Sequence, residues 1–211
     1  MQKLKSLLFA GVIVLPLHQH GDWQLLAYST IPANQVSFTE QGMVVRVEQS
    51  ASPVIYALDT PRWVRTVKVS GRLSNLLAVS EATQGLEGAD DFSLKVGLVV
   101  AGNKTLNLFQ RMFSPEWIKT LYQLAPAGTG VDRIHFLNAV QYEGLLGRRR
   151  QHPLSDIIYE HNVWLLKQPG DFEVSHTLEA AERVIAIWLS IDGDDSRSVY
   201  TTAINSLILE D

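Results

Sequence analysis

Cysteine is absent from this chain of 211 residues. Its absence excludes disulfides, thiolate nucleophiles, thiolate-ligated metals and lipid attachment through sulfur. A positive excess is also missing. The formal net charge of −4 gives no basic surface for phosphates, so a nucleic-acid partner is set aside. No internal repeat, long polar tract or Pro- or Ser-rich linker divides the chain, and G-x-S-x-G, paired H-x-x-x-H, phosphate-loop and G-x-G-x-x-G patterns do not occur. What remains is an ordinary globular composition, 46% apolar and 19% charged, of a length that one domain accommodates.

The first residues carry Lys3 and Lys5 before an uncharged apolar stretch from Leu7 to Leu17. That pattern matches a secretory signal and is too short for a membrane span, so the mature protein is expected to lack a transmembrane segment. Residues 1–20 are therefore expected to be a signal peptide, and 21–211 one domain of a periplasmic or secreted bacterial protein. No A-x-A-like pair follows Leu17, and the alternative is a buried first strand or an uncleaved anchor.

Beyond this segment the apolar residues mostly recur with period two. "GMVVRVEQ" sets Met43, Val45 and Val47 against Arg46 and Glu48, and "FSLKVGLVV" sets Leu94, Val96, Leu98 and Val100 against Ser93 and Lys95. These are half-buried antiparallel strands by pattern. "WVRTVKVSGR", "WQLLAYS", "PVIYAL", "DRIHFLNAV", "DFEVSHTL" and "SVYTTAINSLIL" are further strands, and "ERVIAIWLSI", apolar on both faces, is a central one. One short helix is expected near 115–125, with Ser114 as N-cap, Pro115 in the first turn, and Trp117, Leu121 and Leu124 on one face. The fold class is all-β, an antiparallel jelly-roll-like sandwich, with long connections over 74–90 and 143–158.

Two acidic motifs stand at strand ends. Asp192, Asp194 and Asp195 follow the central strand, and Asp90 and Asp91 precede the strand that opens at Phe92. Antiparallel neighbours would bring all five carboxylates to one sheet edge, where they need a hard cation such as calcium, nearby arginines, or turn-capping roles. Arg148, Arg149 and Arg150 beside His152 offer planar forks for an anionic ligand such as an acidic sugar, or for the acidic loops themselves. Arg133 and His135, with Tyr142 close by, could stabilise an enolate and move a proton. Trp188 and Trp117 fall on core faces, which leaves Trp63 and Trp164 as candidates for stacking on a sugar ring.

The pair "GADDFSLKVGLVV" and "IWLSIDGDDSRSVYTTAINSLIL" resembles a family of exported bacterial jelly-roll proteins of unknown function. Asp90, Asp91 and Phe92 match its first motif, and Asp192, Asp194 and Asp195 its second. The resemblance implies a sandwich similar to carbohydrate-binding modules, with both acidic motifs in one feature. The combined expectation is an exported, non-catalytic module that binds a glycan, with a structural cation at the acidic loops. The alternatives are a polysaccharide lyase or glycoside hydrolase acting through Arg133, His135 and Tyr142 or through a carboxylate pair, and a structural cell-envelope protein.

Overall fold

The computed structural model describes residues 7–9, 11–105, 116–126, 129–152 and 155–211. Among these residues the chain is built from β1 (Leu7–Phe9), β2 (Val12–Val14), β3 (Trp23–Leu25), β4 (Gln35–Thr39), β5 (Gly42–Glu48), β6 (Val54–Leu73) and β7 (Lys95–Gly102). There follow one helix, α1 (Glu116–Gln123), then β8 (Gly130–Val140), β9 (Arg149–Gln151), β10 (Ile158–Leu165), β11 (Gly170–Ser190) and β12 (Val199–Glu210). The strands run in the order β1-β2-β12-β6-β11-β7-β8-β10-β9, with β3 on β6 and the β4–β5 hairpin on β12. Pairing is antiparallel as expected, with one departure: β10 lies parallel to β8.

Two pairs of expected strands fuse. "PVIYAL" and "WVRTVKVSGR" form the single β6 of 20 residues, and "DFEVSHTL" and "ERVIAIWLSI" form β11 of 21. The pairing between them shifts register between Thr177 and Glu182 and again between Val184 and Ala186. Such bulges bend and twist a strand, so one strand can serve two layers. Val54 to Ala57 pair with Ala186 to Leu189, whereas Val64 to Leu73 pair with the earlier part of β11 and with β12.

The continuous sheet thereby encloses one large core. Val45 and Val47 from β5, Val67 and Val69 from β6, Val96 and Leu98 from β7, Ile187 and Leu189 from β11, and Ile204 and Leu207 from β12 all belong to it. The other face of β7, β8 and β11 carries Val99, Ile134, Phe136, Ala186 and Trp188 under Leu121 of α1. That second cover explains why "ERVIAIWLSI" is apolar on both faces. Leu121 is fully buried and Leu124 packs at the margin, as the helical spacing predicts; Ser114, Pro115 and the Trp117 side chain lie outside the described residues.

Near the N-terminus, Val12 to Val14 pair with Ile208 to Glu210 of β12. Ile13, Leu15 and Leu17 are buried, and the Trp23 indole Nε1 donates to the Pro16 carbonyl at 2.8 Å. Residues 12–17 thus sit as the half-buried strand β2 and its continuation.

One close backbone approach is at Gly71, between Phe172 of β11 and Ile204 of β12. A Cβ there would stand 2.1 Å from the Ala203 carbonyl oxygen and 2.8 Å from the Phe172 ring. Gly71→Ala is expected to cost about 2 kcal/mol or more, since a strand held on both sides cannot yield. The urea midpoint at unchanged slope measures it.

Candidate functional site

The two acidic motifs meet, as their placement at strand ends predicts. The Asp90 amide donates to Asp195 Oδ2 at 3.1 Å, and the Ser196 amide donates to Asp91 Oδ2 at 2.6 Å. Asp192 accepts from the Ser190 hydroxyl at 2.7 Å and lies 3.9 Å from the Lys95 ammonium. Asp90 pairs with Arg150 and lies 3.3 Å from His152 Nε2. Among the described residues no group of three or more His or acidic side chains is placed to hold a metal ion.

Lys95 joins these loops to the sheet. Its alternation predicts a solvated side chain, yet it is only 7% exposed, because the long loop 74–94 and β10 cover that face. Its ammonium is 2.9 Å from the Glu160 carboxylate and about 5 Å from the Phe92 and Phe136 ring centres, 5.0 and 5.1 Å respectively. Arg150 pairs with the same carboxylate, with Asp90 and with the Gly85 carbonyl. Burial alone would raise the Glu160 carboxyl, but Lys95 and Arg150 prevail and hold it down to about 2. Asp192 goes the other way: burial, aided by Asp91 and Asp194, pushes it up to about 7 against the pull of Lys95 and Ser190.

The three arginines separate. Arg149 and Arg150 face opposite sides of β9, opposite His161 and Glu160 of β10 respectively. Arg150 is thereby taken by the acidic loop, and Arg148 is exposed. Arg149 enters an open groove of about 680 Å³ lined by residues of β8, β9, β10 and the bulge of β11 from Leu178 to Glu182. The bulge interrupts the β6–β11 pairing, so its side chains form a wall instead of a continued ladder.

Inside the groove the polar groups are planar and mutually held. Glu182 Oε1 accepts from Arg133 at 3.0 Å and lies 3.0 Å from His135 Nδ1. Arg149 donates to Glu179 at 2.6 Å and, through Nε, to His161 Nε2 at 3.3 Å. The His161 ring lies parallel to His135, with ring centres 6.3 Å apart, and edge-on to His176 at 5.2 Å. Burial, the Arg149 charge and the two neighbouring imidazoles hold His161 down to about 4. His176 is lowered by burial, His135 and Arg149. Both are neutral at ordinary pH.

Several expected site residues lie elsewhere. Tyr142 does not join Arg133 and His135; its hydroxyl donates to the Val79 carbonyl at 2.8 Å and pins the long loop, as Gln141 does through Leu77. Trp164 is 2% exposed and part of the main core, so no ring face is open to a ligand. Trp63 is 58% exposed but is not among the groove-lining residues. Glu160, His161, His176, Glu179 and Glu182 carried no sequence signal beyond polar residues in strand-like runs, and only the fold assembles them.

The buried ion pairs make two tests. Lys95→Met should cost about 3 kcal/mol, because Glu160 would lose one of its two buried counter-charges. Asp192 has a folded pKa above its unfolded one, so folding takes up a proton between pH ~4 and ~7 and stability is lost as pH rises through that window. Asp192→Asn should therefore gain on the parent chain as pH rises from ~4 to ~8, by up to roughly a few kcal/mol in urea titrations. An advantage independent of pH would contradict the assignment.

No family model matches the chain, and no curated protein matches it. Among solved structures, one similar chain is described as "xylan-binding module CBM15", with a TM-score of 0.38, 10% identity, and coverage of 94% of this chain and 95% of that one. At that level of likeness two chains need share neither ligand nor site.

Proposed function

We propose that this chain is an exported, non-catalytic β-sandwich whose groove holds a glycan. The observation that carries the reading is the groove itself: about 680 Å³ and open, with guanidinium, carboxylate and imidazole groups fixed on its walls. Its volume lies within the range of ligand sites. Planar groups with paired donors and acceptors suit vicinal sugar hydroxyls, which both donate and accept. Tyr159, 40% exposed at the rim, offers a ring to the C–H face of a sugar.

The lyase reading loses support because Tyr142, its proton-transfer partner, is committed to the loop and is not at the groove. At the acidic loops Arg150 and Lys95 supply counter-charge to Asp90 and Asp192, two of the five carboxylates. Melting with chelator and with added calcium should then give the same midpoint to within about 1 °C, since an unbound ion cannot shift the folding equilibrium. Export rests on Lys3 and Lys5 before the apolar stretch. The mass of the chain recovered from a periplasmic extract locates any cleavage relative to the strand at Val12–Val14.

The binding test is calorimetry against oligosaccharides found on a glycan array. Arg149→Ala and His161→Ala are each expected to weaken binding about tenfold or more, with no new sugar ends released. Trp63→Ala should leave affinity unchanged, and a loss there would relocate the site to that face. Absence of any glycan ligand, with sedimentation of the chain in envelope fractions, would favour a structural role instead.

A further inference from the structure

The arginines of the groove invite an acidic sugar as ligand, but their surroundings point the other way. Arg133 is shared between Asp132 and Glu182, Arg149 pairs with Glu179, and Arg150 is held by Glu160 and Asp90. The remaining lining cation, Lys104, donates to the Asp132 carbonyl at 3.0 Å. The charged side chains of the lining thus balance, four cations against Asp132, Glu160, Glu179 and Glu182.

An incoming carboxylate or sulfate would have to displace a carboxylate already in place. Such an exchange swaps one ion pair for another and still strips the ligand's charge of water, so it brings no net gain. The wall adds a second obstacle. Glu182 Oε2 is buried and has no hydrogen-bond partner among the described residues, on a side chain only 10% exposed. Only Oε1 of this carboxylate meets a partner, Arg133 and His135, and its negative charge repels a further anion nearby. His161 and His176 do not offset it, since burial and Arg149 keep them neutral.

We infer that the groove selects neutral polyhydroxylated chains and rejects uronate-bearing or sulfated ones, with Glu179 and Glu182 as the residues that set this preference by occupying the arginines. The inference rests on the groove being the glycan site. Specificity of this kind comes from what is excluded as much as from what is held.

The test uses the full chain on an array that pairs neutral oligosaccharides with uronate, sulfated and amino-sugar counterparts, followed by calorimetry on the strongest hits. Neutral ligands should lead, with uronate counterparts about tenfold or more weaker. Glu179→Gln frees Arg149, and because Glu179 is 80% exposed its loss does not threaten the fold. That variant should raise the ratio of uronate to neutral affinity by about fivefold, and Glu182→Gln, checked by melting, should do the same through Arg133. Strongest binding to uronates, sulfated chains or amino sugars by the parent chain overturns the inference while leaving the glycan-binding reading intact. An unmoved ratio in both variants overturns the roles of Glu179 and Glu182. Failure to bind any glycan overturns the binding reading itself.

Discussion

The Glu160 carboxylate, held between Lys95 and Arg150, is the interaction on which the organisation of this end of the molecule depends. Buried carboxylates are costly unless charge and hydrogen bonds compensate them. Here the compensation comes from β7 on one side and β9 on the other, so the three elements must dock together. Through Arg150 the same pair reaches Asp90 and the Gly85 carbonyl, and through Lys95 it reaches Asp192. Two loops far apart in sequence are thereby drawn to one centre. The opposite shifts of Glu160 and Asp192 follow from geometry: the first has two close cations, whereas the second is also buried but 3.9 Å from one.

Much of the fold is legible in the sequence. Period-two alternation places Val45, Val47, Val96 and Leu98 in the main core, and the doubly apolar run at Val184 to Ile191 is a strand covered on both faces. The meeting of the two acidic motifs is also legible, because strand ends in antiparallel neighbours share an edge. The fusion of strands is not. "ALDTPR" and "TLEAAER" read as breaks because they are polar, hold Pro61 or lack alternation; in the structure they lie within β6 and across the bulge of β11, where the pairing shifts. The groove is legible only in part: Arg133, His135 and Arg149 stand out in the sequence, whereas His161 and His176 are single histidines among polar neighbours on other strands. Their juxtaposition needs the parallel pairing of β8 with β10, and period-two patterning is blind to strand direction.

The alternation that made the strands readable also explains how two polar systems coexist a residue apart. On β10, Glu160 meets Lys95 and Arg150 while His161 meets Arg149, and on β9 Arg150 and Arg149 divide in the same way, with all four β9 and β10 residues lining the groove. A one-residue slip of β9 would set Arg149 opposite Glu160 and Arg150 opposite Tyr159, so that both arginines lose their present partners. The buried pair of Arg150 with Glu160 therefore fixes the register of β9, and with it the position of Arg149 on the groove wall. A three-residue edge strand has few ladder hydrogen bonds of its own. In this fold a buried ion pair sets the shape of the groove wall.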